Sequence, residues 1–204
     1  MLIGMFDSGS GGLSVLCACK KAVPYARYLY LDDSAHCPYG NKPEEEIKRI
    51  ALENARILFD AGCDAIVIAC NTATAAAAPL IRKEYPDKVV IGIEPAVRPA
   101  LGKVKGKILL LATPVTANLR SYPDRVIVGA EETLAAEIEA AYPNASALKA
   151  LAKKTLAKYS GYEAVVTGCT HYAHLIPYID APVFDGAEGV ARRLRSVTDK
   201  LTGG

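Results

Sequence analysis

Short runs of apolar residues alternate along the chain with longer segments in which apolar positions recur at helical spacing. Nearly continuous apolar runs are typical of strands buried on both faces of a parallel sheet, and the longer segments are typical of covering helices. The predicted strands are residues 2–6, 26–31, 64–69, 89–93, 107–112, 126–128, 164–168 and 181–184. This alternation predicts an α/β fold with mostly parallel sheets and right-handed crossovers.

Helices are predicted between these strands, at residues 13–21, 43–61, 72–85, 131–141, 145–159 and 188–201. Pro79 lies inside the third of them and predicts either a bend or a break into two short helices. A further helix is expected after Cys169, and Ile176-Pro177 should end it early.

One pattern occurs twice, about half a chain apart. Residues 66–74 and 164–172 each contain an apolar run, a small residue, a cysteine and then polar residues that open a helix. The repeat predicts two similar lobes, residues 1–94 and 95–185, which share a cleft. The last segment, residues 186–204, is expected to pack back on the first lobe.

The two repeated cysteines, Cys70 and Cys169, are the main candidates for chemistry. Ligands of open parallel α/β sheets bind beyond the carboxyl ends of the strands, where the N-terminus of the next helix faces the site. The helix dipole there should lower the pKa of a thiol and favour the thiolate. Either cysteine alone could equally be a small buried packing residue. Their matched contexts favour function.

Composition excludes several other classes. The 204 residues carry a formal charge of +2, with acids and bases interspersed, so neither nucleic acid nor an anionic membrane is an expected partner. No apolar run approaches the roughly 20 residues that span a bilayer, and the first residues do not resemble a secretory signal. We therefore expect a cytoplasmic protein. The six cysteines show no CxxC pair, so no metal site is predicted.

A glycine-rich turn, residues 7–12, follows the first predicted strand. It lacks the third glycine of a dinucleotide fingerprint and the lysine of a P-loop, so it is better suited to a carboxylate or another small anion. Asp7 begins the turn, either as a helix cap or as a charge partner for a reacting group. The proline- and glycine-containing loop 37–41 is a second candidate for binding.

Taken together, these motifs carry a family resemblance. They are Asp7-Ser8-Gly9, Gly11-Gly12-Leu13, Pro38-Tyr39-Gly40, Cys70-Asn71-Thr72-Ala73, Ala112-Thr113 with Thr116, and Gly168-Cys169-Thr170-His171-Tyr172. The sequence resembles the glutamate racemases of the aspartate/glutamate racemase superfamily, with the motifs in family order from end to end. The resemblance implies two pseudo-symmetric α/β lobes with the active site between them. It also implies cofactor-independent racemisation of glutamate, which feeds peptidoglycan synthesis.

The resemblance also implies roles for individual residues. Cys70 would take the α-proton from the D-isomer and Cys169 from the L-isomer, because inversion needs a base and an acid on opposite faces of Cα. Asp7 and His171 would support the two thiols. The expected substrate-binding residues are Ser8, Tyr39, Gly40, Asn71, Thr72, Thr113, Thr116 and Thr170. The partner is a small-molecule substrate, glutamate, and a homodimer is possible.

The chain departs from the family in two places. It is short between residues 122 and 160, where the family usually has an extended segment with a glutamate that supports the second half of the site. Here Glu131 or Glu132 is the candidate for that role. Ser10 stands where a larger apolar residue is usual, and His174 is interpreted as structural. The departures leave two alternatives: a racemase of aspartate or another small acid, and a catalytically weak binding or regulatory member.

Overall fold

Two parallel sheets of four strands each form the centre of the computed structural model, which describes residues 1–118 and 121–201. The strands are β1 (Leu2–Asp7), β2 (Arg27–Asp32), β3 (Ala65–Ile68), β4 (Val89–Gly92), β5 (Ile108–Ala112), β6 (Val126–Ala130), β7 (Ala164–Gly168) and β8 (Val183–Phe184). The helices are α1 (Gly12–Ala22), α2 (Glu44–Asp60), α3 (Asn71–Glu84), α4 (Val97–Lys103), α5 (Pro114–Asn118), α6 (Leu134–Ala141), α7 (Ala145–Leu156) and α8 (Ala187–Leu201). The described residues also form three 3-10 helices: Ser34–His36, Tyr39–Asn41 and Thr170–Tyr178.

The two sheets have the same topology. Their strand orders are β2-β1-β3-β4 and β6-β5-β7-β8. In each sheet, the second strand lies on one side of the first strand, and the third and fourth lie on the other side. The strand order therefore reverses between the two central strands, which makes this the topological switch point. Ligands of such sheets bind at this point, beyond the carboxyl ends of the strands. The predicted fold class, two parallel α/β lobes, is confirmed.

Alternation along the central strands builds a core on both faces of the first sheet. Ile3 and Met5 of β1 face one side and Phe6 faces the other, as expected for a side-chain period of two. The first side packs against α1 and α8, where Leu194 is fully buried, and the second packs against α2 and α3. Each fully buried side chain of this kind contributes about 1.5–3 kcal/mol. This packing fixes the strand ends that carry the site.

The same alternation organises the second sheet. Leu109 and Leu111 of β5 belong to the cluster under α6 and α7, whereas Ile108 and Leu110 belong to the cluster that includes Val97 of α4. Because both central strands are covered on both faces, their sequences are continuous apolar runs rather than alternating ones.

Some elements differ from the predictions. Helix α3 continues through Pro79, so the break into two short helices is wrong; packing of buried Ala77 and Ile81 against α2 offsets the one lost hydrogen bond. Helix α6 begins at Leu134 rather than at residue 131, because the Glu131 N–H still donates to the Ala112 carbonyl, 2.8 Å away, beyond the end of β6. Helix α4 was missed.

The C-terminal helix α8 packs against α1 of the first lobe. The segment predicted to pack on the first lobe was 186–204, and its residues 202–204 lie outside the described residues. The division into lobes 1–94 and 95–185 stays a prediction; residue 94 lies in the connection between β4 and α4. No helix within the described ranges has the length and apolar character needed to cross a membrane.

Candidate active site

Cys70 lies where β3 ends and α3 begins. Its side chain caps the helix, because its sulfur accepts the Ala73 N–H at 3.5 Å. The sulfur is also 3.6 Å from the Ser8 hydroxyl oxygen, which belongs to the turn after β1. Cys70 is only 3% exposed. The sequence places it there because the apolar run of β3 ends in Ala69, and polar helix-starting residues follow.

Asp7 ends the neighbouring strand β1 and is fully buried. Its carboxylate accepts the Gly12 N–H at 2.8 Å and the Thr170 hydroxyl, from the other half of the chain, at 3.2 and 3.3 Å. Gly12 must lack a side chain, since a Cβ there would lie 2.5 Å from the Asp7 Cβ. Burial raises the pKa of Asp7 to about 6, although the charge of His171 and these hydrogen bonds oppose the rise.

The environment of Cys70 contradicts one expectation. The dipole of α3 was expected to lower the thiol pKa, but burial, with the charge of Asp7 next in size, raises it to about 12. The Ala73 N–H and the Ser8 hydroxyl oppose this rise without reversing it. The charge of Cys169 also acts on Cys70. Cys70 is therefore a protonated thiol at neutral pH.

Cys169 occupies the matching place after β7, at the start of the 3-10 helix Thr170–Tyr178, and is 7% exposed. Its sulfur is 3.7 Å from Nδ1 of His171. The other ring nitrogen of His171, Nε2, lies 3.0 Å from the Glu139 carboxylate and 3.7 Å from the Cys37 sulfur. The imidazole ring is thus held on both sides by groups that accept hydrogen bonds.

His171 is 1% exposed, and burial alone would lower its pKa. Hydrogen bonds to Cys169, Cys37 and Glu139 outweigh burial and raise the pKa well above its usual value. The hydrogen bond from His171 is in turn the main reason that the pKa of Glu139 falls to about 2. A cationic imidazole therefore faces the sulfur of Cys169.

Sequence reasoning missed Glu139. The residues considered for this place were Glu131 and Glu132, but Glu131 binds Lys158 at 2.6 Å and Tyr159 at 2.7 Å, and Glu132 is exposed. Helical periodicity was the available signal. Glu139 follows Ala135 by four residues and therefore lies at the edge of the buried face of α6.

Hydroxyl groups from both halves meet on the other side of the site. The hydroxyl oxygens of Thr72 and Thr113 are 2.9 Å apart, and Thr113 donates to Thr116 at 3.2 Å. Gly40 lies against them, since a Cβ at this position would be 2.8 Å from Thr113 Cγ2. These four predicted binding residues are therefore neighbours.

Tyr39 precedes Gly40 in the chain, but its hydroxyl binds other residues. Its ring is 1% exposed, and its hydroxyl donates to Asp33, with Asn54 Nδ2 also 3.0 Å away. The hydroxyl is therefore used inside the first lobe. A contribution of Tyr39 to substrate binding stays a prediction and would involve its main chain.

Asn71 has an unusual environment. It is 3% exposed, and its amide nitrogen has no hydrogen-bond partner in the described part of the chain. With Cys169 and Thr170 it lines a cavity of about 10 Å³, about enough for one water. A buried donor without a partner costs about 1–3 kcal/mol, so a ligand that accepts from it is favoured.

All four predicted catalytic residues thus lie in one connected set that spans both halves: Asp7, Cys70, Cys169 and His171. Ser8 and Thr170 join it through the contacts above. Within residues 1–118 and 121–201, no group of three or more histidine, cysteine or acidic side chains is arranged to hold a metal ion.

Comparison with known proteins identifies the family. Residues 12–194 match the family model described as Asp/Glu/Hydantoin racemase. The glutamate racemase of Clostridium perfringens is 36% identical over 211 residues, which cover 95% of this chain and 81% of the relative. That of Pseudomonas aeruginosa is 37% identical over 214 residues, covering 96% and 80%.

Solved structures show the same similarity. The glutamate racemase of Thermus thermophilus, in complex with β-chloro-D-alanine, superposes with a TM-score of 0.79 at 34% identity and covers 98% of this chain and 81% of its own. That of Francisella tularensis, in complex with D-glutamate, gives a TM-score of 0.82 at 26% identity, with 98% and 81% covered. Fold and similarity together define an isomerase. The chain belongs to the Asp/Glu/Hydantoin racemase family.

Proposed function

We propose that this enzyme interconverts L- and D-glutamate by proton transfer between Cα and two thiols, without a cofactor. The observation that carries the proposal is the placement of Cys70 and Cys169. They follow topologically equivalent strands, β3 and β7, and are close enough for the charge of one to act on the other. The choice of glutamate rests on the relatives named above and on the Escherichia coli glutamate racemase in complex with L-glutamate, 29% identical with a TM-score of 0.77.

The electrostatic environments of the two thiols differ in a way that suits the reaction. The imidazolium of His171 lies beside the sulfur of Cys169, whereas burial and the charge of Asp7 keep Cys70 protonated. One base and one acid are needed at the same time. In the proposed resting state, Cys169 is the base and Cys70 is the acid.

Racemisation of L-glutamate then needs two proton transfers. Cys169 takes the α-proton, and the electron pair of the broken C–H bond stays on Cα, delocalised into the α-carboxylate. Cys70 next delivers its thiol proton to the opposite face of Cα and becomes a thiolate. The D-isomer reacts in reverse, from the state in which Cys70 is charged. Asp7, with a pKa of about 6, lies near the range in which it can exchange a proton at neutral pH.

Glu139 supports the second half of the site in this proposal. Its carboxylate fixes the ring of His171 from the side opposite Cys169, which sets both the orientation and the charge of the imidazole. We propose that it replaces the supporting glutamate of the longer family members. The short segment between residues 122 and 160 still supplies this carboxylate, because α6 lies beside the 3-10 helix that carries His171.

Donor groups for the two substrate carboxylates come from both lobes. A carboxylate without hydrogen bonds in a closed cleft would cost several kcal/mol, and the unpartnered amide of Asn71 is the first candidate donor. Further donors are the hydroxyls of Ser8, Thr72, Thr113, Thr116 and Thr170 and the main chain at Tyr39 and Gly40. Hydroxyls that bond each other without ligand can rotate toward it.

Substrate entry requires the lobes to separate. Cys70, Cys169 and Asn71 are all buried, and the cavity that the last two line is too small for an amino acid. The contacts that must open include Thr72 to Thr113 and Thr170 to Asp7. We infer a cycle in which glutamate binds to an open form and replaces these contacts.

The direct test is the loss of optical activity from pure L- or D-glutamate, followed by circular dichroism, with aspartate as the comparison substrate. We expect racemisation of glutamate with kcat/KM above that for aspartate, and an increased KM for Asn71→Ala. Racemisation of aspartate alone would establish the related isomerase instead. Binding of glutamate without inversion would support the binding or regulatory alternative.

We further propose that the D-glutamate is used for peptidoglycan, a proposal supported by the family resemblance. Expression of this chain should restore growth of a bacterial strain that needs added D-glutamate. The inactive Cys70→Ala variant is the control. Equal growth with both would show that turnover is not what restores it.

A further inference from the structure

Ser10 connects the two lobes at the edge of the site. It lies in the turn between β1 and α1, and its hydroxyl donates to the Glu139 carboxylate of α6 at 2.8 Å. The same hydroxyl oxygen is 3.3 Å from Nε2 of His174. The two partners are 129 and 164 residues away along the chain, so these contacts exist only where the halves of the molecule meet.

The Ser10 contact extends a chain of polar contacts to the thiol. Ser10 lies 2.8 Å from Glu139, which lies 3.0 Å from Nε2 of His171, and Nδ1 of His171 lies 3.7 Å from the sulfur of Cys169. Only the first contact in this series crosses between the lobes. Ser10 is therefore the contact by which the first lobe reaches the Glu139 end of this series, whereas the Cys37 sulfur approaches Nε2 of His171 directly, at 3.7 Å.

Glu139 needs this restraint because it is not enclosed. Its side chain is 34% exposed, whereas that of His171 is 1% exposed. An ion pair with one exposed partner is weakened by water and salt, and its long side chain is free to leave. Hydrogen bonds from a fixed turn, donated by the hydroxyl and the main-chain N–H of Ser10, restrict the carboxylate to the position that faces His171.

The Glu139 carboxylate fixes the direction of both Ser10 hydrogen bonds, because it can only accept. A hydroxyl has one hydrogen, so if Ser10 donates to Glu139 its oxygen must accept from Nε2–H of His174. Burial lowers the pKa of His174, which favours the neutral ring. The ring contacts that of Tyr142, with centroids 4.2 Å apart and a tilt of 33° between the planes. Ser10 thus receives one hydrogen bond and gives one. A larger apolar residue at this position could do neither.

We propose that Ser10 is a positioning residue for the racemisation, which holds Glu139 on His171 when the lobes close and so couples closure of the site to the alignment of His171 with Cys169. This inference rests on the proposed function. It goes beyond it by assigning a role to Ser10 and, through the hydrogen bond above, to His174.

The proposal predicts an effect on one thiol only. Loss of Ser10 should raise the barrier of the proton transfer at Cys169 and leave the transfer at Cys70 unchanged. Because the two enantiomers have equal free energy, kcat/KM must fall by the same factor in both directions. Isotope effects separate the two steps, since the labelled proton of L-glutamate goes to Cys169 and that of D-glutamate to Cys70.

The experiment compares wild type with Ser10→Ala, Ser10→Thr and the exposed control Ser146→Ala. For Ser10→Ala we expect a loss of about tenfold in kcat/KM, the size of one hydrogen bond to a charged group. The primary deuterium isotope effect on kcat/KM should rise with 2-deuterated L-glutamate and fall with 2-deuterated D-glutamate. Ser10→Thr, which keeps the hydroxyl, should restore both values. Ser146→Ala should match wild type.

A second measurement does not depend on turnover. In protein labelled with ¹⁵N-histidine, the imidazole of His171 should lose its proton at lower pH in Ser10→Ala than in wild type, with Ser10→Thr close to wild type. Unchanged isotope effects and an unchanged His171 titration in Ser10→Ala would overturn the proposal. An inactive wild type would refute the proposed function instead, and the titration would still decide whether Ser10 holds Glu139 on His171.

Discussion

Replacement of Asp7 by asparagine should stabilise the fold while it impairs the site. Asp7 is fully buried, and burial raises its pKa from 3.8 to about 6. Between these two pH values the folded state binds more protons than the unfolded state, so stability falls as pH rises. At about 1.36 kcal/mol for each pKa unit, an ionised Asp7 costs about 3 kcal/mol of folding free energy at pH 7.

An asparagine avoids this cost and keeps the local geometry. Its side-chain oxygen can still accept the Gly12 N–H, and its amide can donate to the Thr170 hydroxyl oxygen. We expect Asp7→Asn to raise the free energy of unfolding by up to about 3 kcal/mol at pH 7. The gain should shrink to nearly nothing at pH 4, where wild-type Asp7 is protonated in the folded state. Racemisation should fall.

Urea denaturation at several pH values between 4 and 8 measures this difference. Asp64→Asn is a matched control, because Asp64 also accepts a backbone N–H, that of Leu2 at 2.8 Å, but is exposed. Its effect on stability should not follow the same pH dependence. A gain for Asp7→Asn that is equal at pH 4 and pH 8, or a loss at pH 7, would refute the assignment of a buried, ionised Asp7.

Two further predictions concern the contact between the lobes and the support of the imidazole. Gly11→Ala places a Cβ 2.4 Å from the backbone carbonyl carbon of Thr170 in the other lobe. The lobes should then close incompletely, and kcat/KM for glutamate should fall by at least about tenfold. The control Gly102→Ala, whose Cβ meets nothing within 4 Å, should be nearly neutral in the same assay. Glu139→Gln should lower kcat by about 10- to 100-fold, the loss expected for a hydrogen bond to a charged group. Glu137 lies on the same helix but binds exposed Lys154, so the control Glu137→Gln should retain activity. Equal loss in both glutamine variants would exclude a specific role for Glu139.

The features that could be predicted from sequence are those set by local residue patterns. Apolar runs place the central strands, and the cysteine after each of β3 and β7 follows from the same pattern. Strand ends in a parallel sheet meet at one edge, so the approach of Asp7 to Cys70 also follows from topology. The side-chain chemistry of this edge could therefore be inferred from residue order.

Features that depend on three-dimensional surroundings could not be predicted in this way. The pKa of Cys70 rises because burial and the charge of Asp7 outweigh the helix terminus, and only coordinates give the balance of these effects. The hydroxyl of Tyr39 turns to Asp33 inside the first lobe. Glu139 reaches His171 because α6 packs beside the 3-10 helix that carries the histidine, so neither motif nor spacing identified it.

Deuterium incorporation at Cα in D₂O, measured separately with L- and D-glutamate, tests the two-thiol mechanism in wild type, Cys70→Ala and Cys169→Ala. We expect wild type to exchange the α-proton of both isomers and to invert them, and neither single variant to invert either isomer. Normal inversion by either variant would contradict a mechanism that places one thiol on each face of the substrate.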